Sequence, residues 1–150
     1  MKYFTIDELT KSATARRYGM DNVPSEQHKK NLIALVENVL DPVREAMGEP
    51  IIVNSAYRNE RLNALIGGAR LSQHCYGEAA DIQTSGDRHN KELFKKIIEQ
   101  GEFDQLIWEF GNDSNPDWVH VSYRSKDSNR HQILRAVKEG GKTVYKTIHK

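Results

Sequence analysis

The apolar residues of the first half of the chain recur with a helical period. Ser25 is a suitable N-cap and Gly48 a suitable stop for one long helix between them. Pro42 lies inside this pattern, so we expect the helix to kink or split there. The residues that form the apolar face are Leu32, Leu35, Val36, Val39, Leu40, Val43 and Met47.

Shorter patterns predict the remaining elements. Residues 1–24 are polar and rich in turn formers, and we expect a loosely structured N-terminal arm with one short helix near residues 7–12. Because helices come early and strands late, the order indicates an α+β fold, with helices packed on one face of an antiparallel sheet. Helices are predicted at 59–66 and 87–100, and strands at 51–53, 79–83, 103–110, 118–123, 132–137 and 143–148.

The length and the net charge of the chain limit the class of protein to which it can belong. The chain has 150 residues, which predicts a single domain over residues 1–150, with the arm at 1–24. Lys plus Arg is 22 against 21 for Asp plus Glu, so we expect no nucleic-acid or membrane partner. We also expect a monomer. Cys75 is the single cysteine, which excludes an intramolecular disulfide. The N-terminus is not that of a signal peptide, so we expect synthesis in the cytoplasm unless a signal has been trimmed.

Two polar segments carry a possible metal site. The first reads Ser-Gln-His-Cys-Tyr-Gly-Glu-Ala-Ala-Asp from residue 72, and the second reads Asp-Trp-Val-His-Val-Ser from residue 117. A catalytic zinc takes three protein ligands and keeps one open position. His74, Asp81 and His120 supply imidazole and carboxylate ligands of that kind, for one zinc per chain.

Strand alternation supports this ligand set. Successive side chains of a strand point to opposite faces, so Asp81 lies on the face opposite Ala80 and Ile82. By the same rule, His120 lies opposite Val119 and Val121. We therefore expect the apolar pairs to face the helices, and both possible ligands to point into one open cleft.

Two further residues could take part in hydrolysis. Asp117 lies three positions before His120 and should therefore sit in a turn or bulge and lean back over the metal. Its carboxylate could then accept a proton from the attacking water. Arg58 follows the end of a predicted strand, and its guanidinium could polarise the scissile carbonyl or bind a substrate carboxylate.

The first segment resembles a family signature. Residues Ser72–Asp81 are similar to the Ser-x-His-x-x-Gly-x-Ala-x-Asp motif of the D-alanyl-D-alanine carboxypeptidase family of zinc peptidases, M15. That family also includes the D-Ala-D-Ala dipeptidases of vancomycin resistance and phage L-alanyl-D-glutamate endolysins. The resemblance extends from about Ile51 to Tyr123, through Ser55-Ala56-Tyr57-Arg58, Gly67-Gly68 and Asp117-x-x-His120.

The resemblance implies a role for each matching residue. His74, Asp81 and His120 would be the zinc ligands, and Asp117 the general base, although many members have Glu at that position. Arg58 would act on the substrate or the transition state, and Ser72 would contact substrate or support the ligand loop. The implied fold is that of Hedgehog proteins and D-Ala-D-Ala peptidases, with the zinc cleft on the sheet face away from the helices.

The substrate implied by the resemblance is a peptidoglycan stem peptide or another peptide that contains D-amino acids. A carboxypeptidase that removes D-Ala and an L-Ala-D-Glu endopeptidase both remain open. A chain without a signal peptide fits a phage endolysin that reaches the wall by other means, or a cytoplasmic dipeptidase. The alternative from another class is a catalytically inactive zinc-containing binding module of the same fold, as in the Hedgehog signalling domain.

Overall fold

A computed structural model describes residues 1–70 and 72–149. The predicted helices and strands after residue 24 are present, with ends shifted by up to three residues. None of the helices in these ranges is long and apolar enough to cross a membrane. The helices are α1 (Ile6–Thr10), α2 (Ala13–Arg17), α3 (Glu26–Leu35), α4 (Asp41–Met47), α5 (Glu60–Leu65) and α6 (Asn90–Gln100). The strands are β1 (Ile51–Ser55), β2 (Ala79–Thr84), β3 (Gln105–Glu109), β4 (Trp118–Ser122), β5 (Gln132–Glu139) and β6 (Lys142–Thr147).

The long helix is interrupted as Pro42 predicts. Ser25 caps it by accepting a hydrogen bond from the His28 backbone N–H, and Gly48 ends it with a positive φ of 66°. Between α3 and α4 the chain forms a π-helical turn over Val36–Leu40. Proline has no N–H to donate and its ring crowds the carbonyl four residues earlier, so a wider turn just before it relieves the conflict.

The N-terminal segment is more ordered than predicted. It contains two short helices, α1 and α2, whose N-caps are Thr5 and Ser12. Phe4 and Leu9 are buried in the main core, and Ala15 is buried as well. The prediction of a loosely structured arm at 1–24 is therefore wrong, because a few apolar residues in a polar segment are enough to anchor it.

The sheet is mixed rather than antiparallel. Its strand order is β1-β2-β4-β3-β5-β6, and all neighbours are antiparallel except β3 and β5, which run parallel. Strand β4 ends beside the start of β3, where the Asp104 N–H donates to the Ser122 carbonyl. Residues 123–131 then carry the chain across that end of β3, so β5 starts there and must run parallel to it.

The two faces of the sheet have different chemistry. On the helical side, Ala80, Ile82, Val119 and Val121 are fully buried, as alternation predicts. They share one core with residues of the helices, among them Leu32, Leu35, Leu93, Phe94 and Ile97. Burial of each leucine or isoleucine in such a core contributes roughly 1.5–3 kcal/mol.

On the opposite face, one row of paired residues crosses the sheet. Asp81 pairs with Ser55 on β1 and with His120 on β4, and His120 pairs with Ile107 on β3. Ile107 in turn pairs with Leu134 on β5. The sheet therefore places Asp81 and His120 side by side, on the face away from the main core.

Candidate metal centre

The loop that carries His74 is fixed at both ends. Ser72 caps a short 3₁₀ turn over Gln73–Tyr76 by accepting a hydrogen bond from the His74 backbone N–H. The turn ends at Gly77, whose φ is +72°. A Cβ at Gly77 would lie only 2.4 Å from the His28 carbonyl oxygen. The serine and the glycine of the motif therefore hold the backbone that presents the histidine.

Backbone hydrogen bonding also sets the tautomer of His74. Its Nδ1 lies 2.6 Å from the Ala56 carbonyl oxygen. A carbonyl can only accept, so Nδ1 carries the proton, and Nε2 keeps its lone pair. Nε2 lies 3.4 Å from Asp81 Oδ2. A histidine that donates its second ring N–H to a carbonyl is the usual arrangement of a metal ligand.

The three predicted ligands converge on one point. His120 Nδ1 lies 3.0 Å from Asp81 Oδ1, and the three residues offer ligand atoms that all lie within 4.8 Å of one another. Zinc bonds of about 2.0–2.1 Å in a tetrahedron place ligand atoms roughly 3.3 Å apart. The donor set of His74, Asp81 and His120 thus fits a zinc ion by both chemistry and spacing.

The protonation states suit metal binding. Burial alone would raise the pKa of Asp81, but the adjacent His74 and His120 outweigh it and hold that pKa well below its usual range. Burial lowers the pKa of His74. The site therefore presents an ionised carboxylate and a neutral imidazole, which are the forms that bind metal ions.

Arg58 lies beside this cluster. Its Nη2 is 3.5 Å from Asp81 Oδ2, while Nε and Nη1 donate to Ser55 Oγ and Asn63 Oδ1. Gly68 leaves room for this arrangement, because a Cβ there would lie 2.1 Å from Asn63 Oδ1. The guanidinium is therefore held rigidly at the edge of the metal site.

Asp117 does not join the cluster. It lies in the turn before β4, as predicted, but its side chain is exposed and is not part of the cleft wall. Its backbone N–H donates to the carbonyl of Glu109, which already pairs with Trp118, so two residues of one strand face one residue of the other, as in a β-bulge. Strand alternation therefore does not extend back to Asp117, which lies at a bend just before β4. The predicted turn or bulge is present, Asp117 lies outside the ligand cluster, and its role as general base stays a prediction.

Glu109 is the carboxylate that does enter the cleft. It pairs with Trp118 at the end of β3, two residues from Ile107 and hence on the face of His120. Only 7% of the residue is exposed. Burial raises its pKa to about 7, and by smaller amounts His120 lowers that pKa and Asp81 raises it. The sequence carried a signal for this residue: a single acid in the otherwise apolar strand pattern of Leu106–Phe110.

The cluster lies in an open cleft of about 620 Å³ with two walls. One wall, here called the ligand wall, carries Arg58, Ser72, His74, Asp81 and His120. The other, the far wall, comprises side chains of β3, β5, β6 and the loop before β5, including Glu109, Arg130, Leu134 and Tyr145. Cys75 is buried and lies outside both the cleft wall and the ligand cluster.

Such a cluster in an open cleft is a site of the metal-dependent hydrolase type. The sequence model of the peptidase M15 family matches residues 2–122. The chain belongs to this family of zinc peptidases, which confirms the resemblance seen in Ser72–Asp81.

A shorter match is to a curated relative. A segment of 44 residues is 48% identical to the zinc D-Ala-D-Ala carboxypeptidase of Streptomyces albus G. The matched segment covers 29% of this chain and only 17% of that protein's length.

Proposed function

We propose that the protein is a zinc-dependent peptidase that hydrolyses peptide bonds in peptidoglycan stem peptides. The observation that carries this proposal is the convergence of His74, Asp81 and His120 in an open cleft that also contains the carboxylate of Glu109. The substrate class rests on family membership and on the name of the Streptomyces relative, a D-Ala-D-Ala carboxypeptidase.

The metal and the protein have separate tasks in this proposal. A zinc ion held by His74, Asp81 and His120 would polarise a carbonyl group and would lower the pKa of bound water to about 7. Glu109 takes the proton of the attacking water and delivers it to the departing amine. Its raised pKa, about 7 in the metal-free protein, suits an acid–base group that both accepts and donates near neutral pH.

Arg58 and Ser72 act on the substrate side. Arg58 presents a fixed positive charge next to the metal site, where it stabilises the negative charge that develops on the scissile carbonyl oxygen. Ser72 lies in the same wall, and its hydroxyl already accepts the His74 N–H. We assign Ser72 to support of the ligand loop first, and to substrate contact second.

A zinc-containing binding module remains the second candidate. The observation that favours it is the exposed position of Asp117, because the predicted base does not reach the cleft. Glu109 weakens this alternative, since it supplies a buried carboxylate on the correct face of the sheet.

Digestion of purified muropeptides by zinc-loaded protein, read by mass spectrometry, separates the two candidates. We expect loss of a terminal D-Ala or a cut between L-Ala and D-Glu, and no cut by the matched variant Glu109→Gln. If the wild type retains one zinc per chain and yields no product from any stem peptide, the binding module is the better description.

A further inference from the structure

A second cation lies at one end of the cleft, away from Arg58. Arg130 belongs to the loop that connects β4 to β5, and its side chain is 47% exposed in the cleft wall. The loop and Arg130 lie outside residues 2–122, which the family model matches. Family membership therefore assigns no role to this residue.

Arg130 is held by a fully buried aspartate. Asp104 is 0% exposed, and its carboxylate accepts hydrogen bonds from Arg130 Nε at 3.0 Å and Arg130 Nη2 at 2.8 Å. It also accepts the Arg130 backbone N–H at 2.8 Å and Gln73 Nε2 at 3.0 Å. Because an ionised carboxylate at such a depth is stable only when fully hydrogen-bonded, these contacts lock the guanidinium in one orientation.

The Arg130 guanidinium still has unused hydrogen-bond donors. Asp104 occupies one edge of the planar group, formed by Nε and one hydrogen of Nη2. Nη1 makes no hydrogen bond to any residue in the described ranges, so the edge formed by Nη1 and Nη2 keeps unused donors on a side chain that is half-exposed. That edge has the spacing to bind a carboxylate in a bidentate manner.

The sheet register gives the position of Arg130 relative to the metal site. The metal row contains His120 and Ile107. Gln105 lies two residues before Ile107, about 7 Å along the strand, and pairs with Gln132 close to Arg130. Glu109 lies two residues from Ile107 in the opposite direction. The metal site is thus between a general base at one end of the cleft and a fixed cation at the other.

Asp104 balances the charge of Arg130, but it is not part of the described cleft wall. Arg58 and Asp81 pair with each other. Glu78 is close enough to Arg130 to raise its pKa, but it is not part of the cleft wall. At this end of the cleft, the other polar side chains in the described wall are amides such as Gln73, Gln105 and Gln132.

We propose that Arg130 binds a free carboxylate of the substrate, on the residue that supplies the leaving amine, and that Asp104 positions it. The proposal rests on the proposed peptidase function and adds a specificity to it. A C-terminal D-Ala carries such a carboxylate, and so does a D-Glu linked through its side chain. Substrates with an amide at this position bind poorly.

The test compares acetyl-D-alanyl-D-alanine with its C-terminal amide as ligands of the zinc-loaded protein. Binding is measured by calorimetry and by the side-chain ¹⁵N–¹H signal of Arg130, and hydrolysis is measured in parallel. We expect the carboxylate to bind about 10- to 100-fold more tightly, as for a charge-assisted hydrogen-bond pair. The Arg130 signal should shift with the carboxylate alone.

Two variants of equal charge change complete the design. Arg130→Gln should abolish the preference for the carboxylate, whereas Arg124→Gln, an exposed position in the same loop, should keep it. Two results would overturn the proposal. Arg130→Gln could keep the preference for the carboxylate, or the wild-type Arg130 signal could fail to shift when the carboxylate binds. In either case the metal alone would explain the preference. Failure of the wild type to hydrolyse either ligand would count against the D-Ala carboxypeptidase form of the proposed function, while the binding data still decide the role of Arg130.

Discussion

The two walls of the cleft are held in place by different interactions. On the ligand wall, His74 is buried and bonded to the Ala56 carbonyl, and Arg58 is bonded to two side chains. On the far wall, Tyr145 belongs to the edge strand β6 and is 54% exposed. A rigid wall suits groups that must keep a fixed geometry during a reaction. An edge strand that is paired on one side alone suits contact with variable parts of a substrate.

The largest expected effect comes from removing a ligand of the rigid wall. His120→Ala leaves two protein ligands, so we expect zinc content to fall well below one per chain and hydrolysis to fall to background. Zinc analysis after dialysis and a peptide assay measure both. His89→Ala is the matched control, because His89 is an exposed residue bonded to Glu49. Full zinc retention by His120→Ala would remove His120 from the ligand set.

The glycine that shapes the ligand loop gives the next effect. Gly77→Ala should lower the free energy of unfolding by about 3–5 kcal/mol, because it adds left-handed strain and a backbone clash. Gly86→Ala has a similar φ of +63°, but its Cβ would contact nothing closer than 3.9 Å. We expect a cost of about 1–2 kcal/mol there. Denaturant unfolding measures the loss of unfolding free energy in both variants. Equal losses would mean that the clash with the His28 carbonyl does not contribute to the loss in Gly77→Ala.

Glu109 should make stability depend on pH in the metal-free protein. Burial raises its pKa from 4.5 to about 7, so below pH 4.5 both the folded and the unfolded state carry the proton. Between pH 4.5 and pH 7 the unfolded state ionises first, so the free energy of unfolding falls progressively until the pH passes 7. The loss is up to about 3 kcal/mol. Glu109→Gln should lack this component of the pH profile of unfolding, and parallel profiles for variant and wild type would contradict the assignment.

The smallest effect is expected at the exposed edge strand β6 of the far wall. Tyr145→Ala should leave zinc content and kcat unchanged and raise KM by about threefold, which is the loss expected for a partly exposed contact. Steady-state kinetics with a stem peptide measure this change. A fall in kcat of more than tenfold would show that Tyr145 itself takes part in the chemical step.

Much of the ligand wall could be predicted from the sequence because its determinants are local. The spacing of His74 and Asp81 follows from one turn and one strand, and strand alternation brings His120 to the same face. The π-helical turn before Pro42 also has a local cause, because Pro42 lacks an N–H donor and its ring crowds the carbonyl four residues earlier.

The far wall could not be predicted in this way because it depends on topology. Glu109 and Arg130 share no motif, and they line one cleft only because the chain crosses the end of β3 and makes β5 parallel to it. Asp117 was assigned from a motif spacing that is correct along the chain. The backbone there forms a bulge opposite Glu109, and the Asp117 side chain is exposed.

The most direct test of the account is a comparison of the two carboxylates. With zinc-loaded Glu109→Gln and Asp117→Asn, kcat/KM is measured on one stem peptide, together with zinc content. The account predicts a loss of about 10²- to 10⁴-fold for Glu109→Gln with zinc retained, and less than about threefold for Asp117→Asn. The reverse pattern, with Asp117→Asn inactive and Glu109→Gln active, would contradict the assignment of Glu109 as the base.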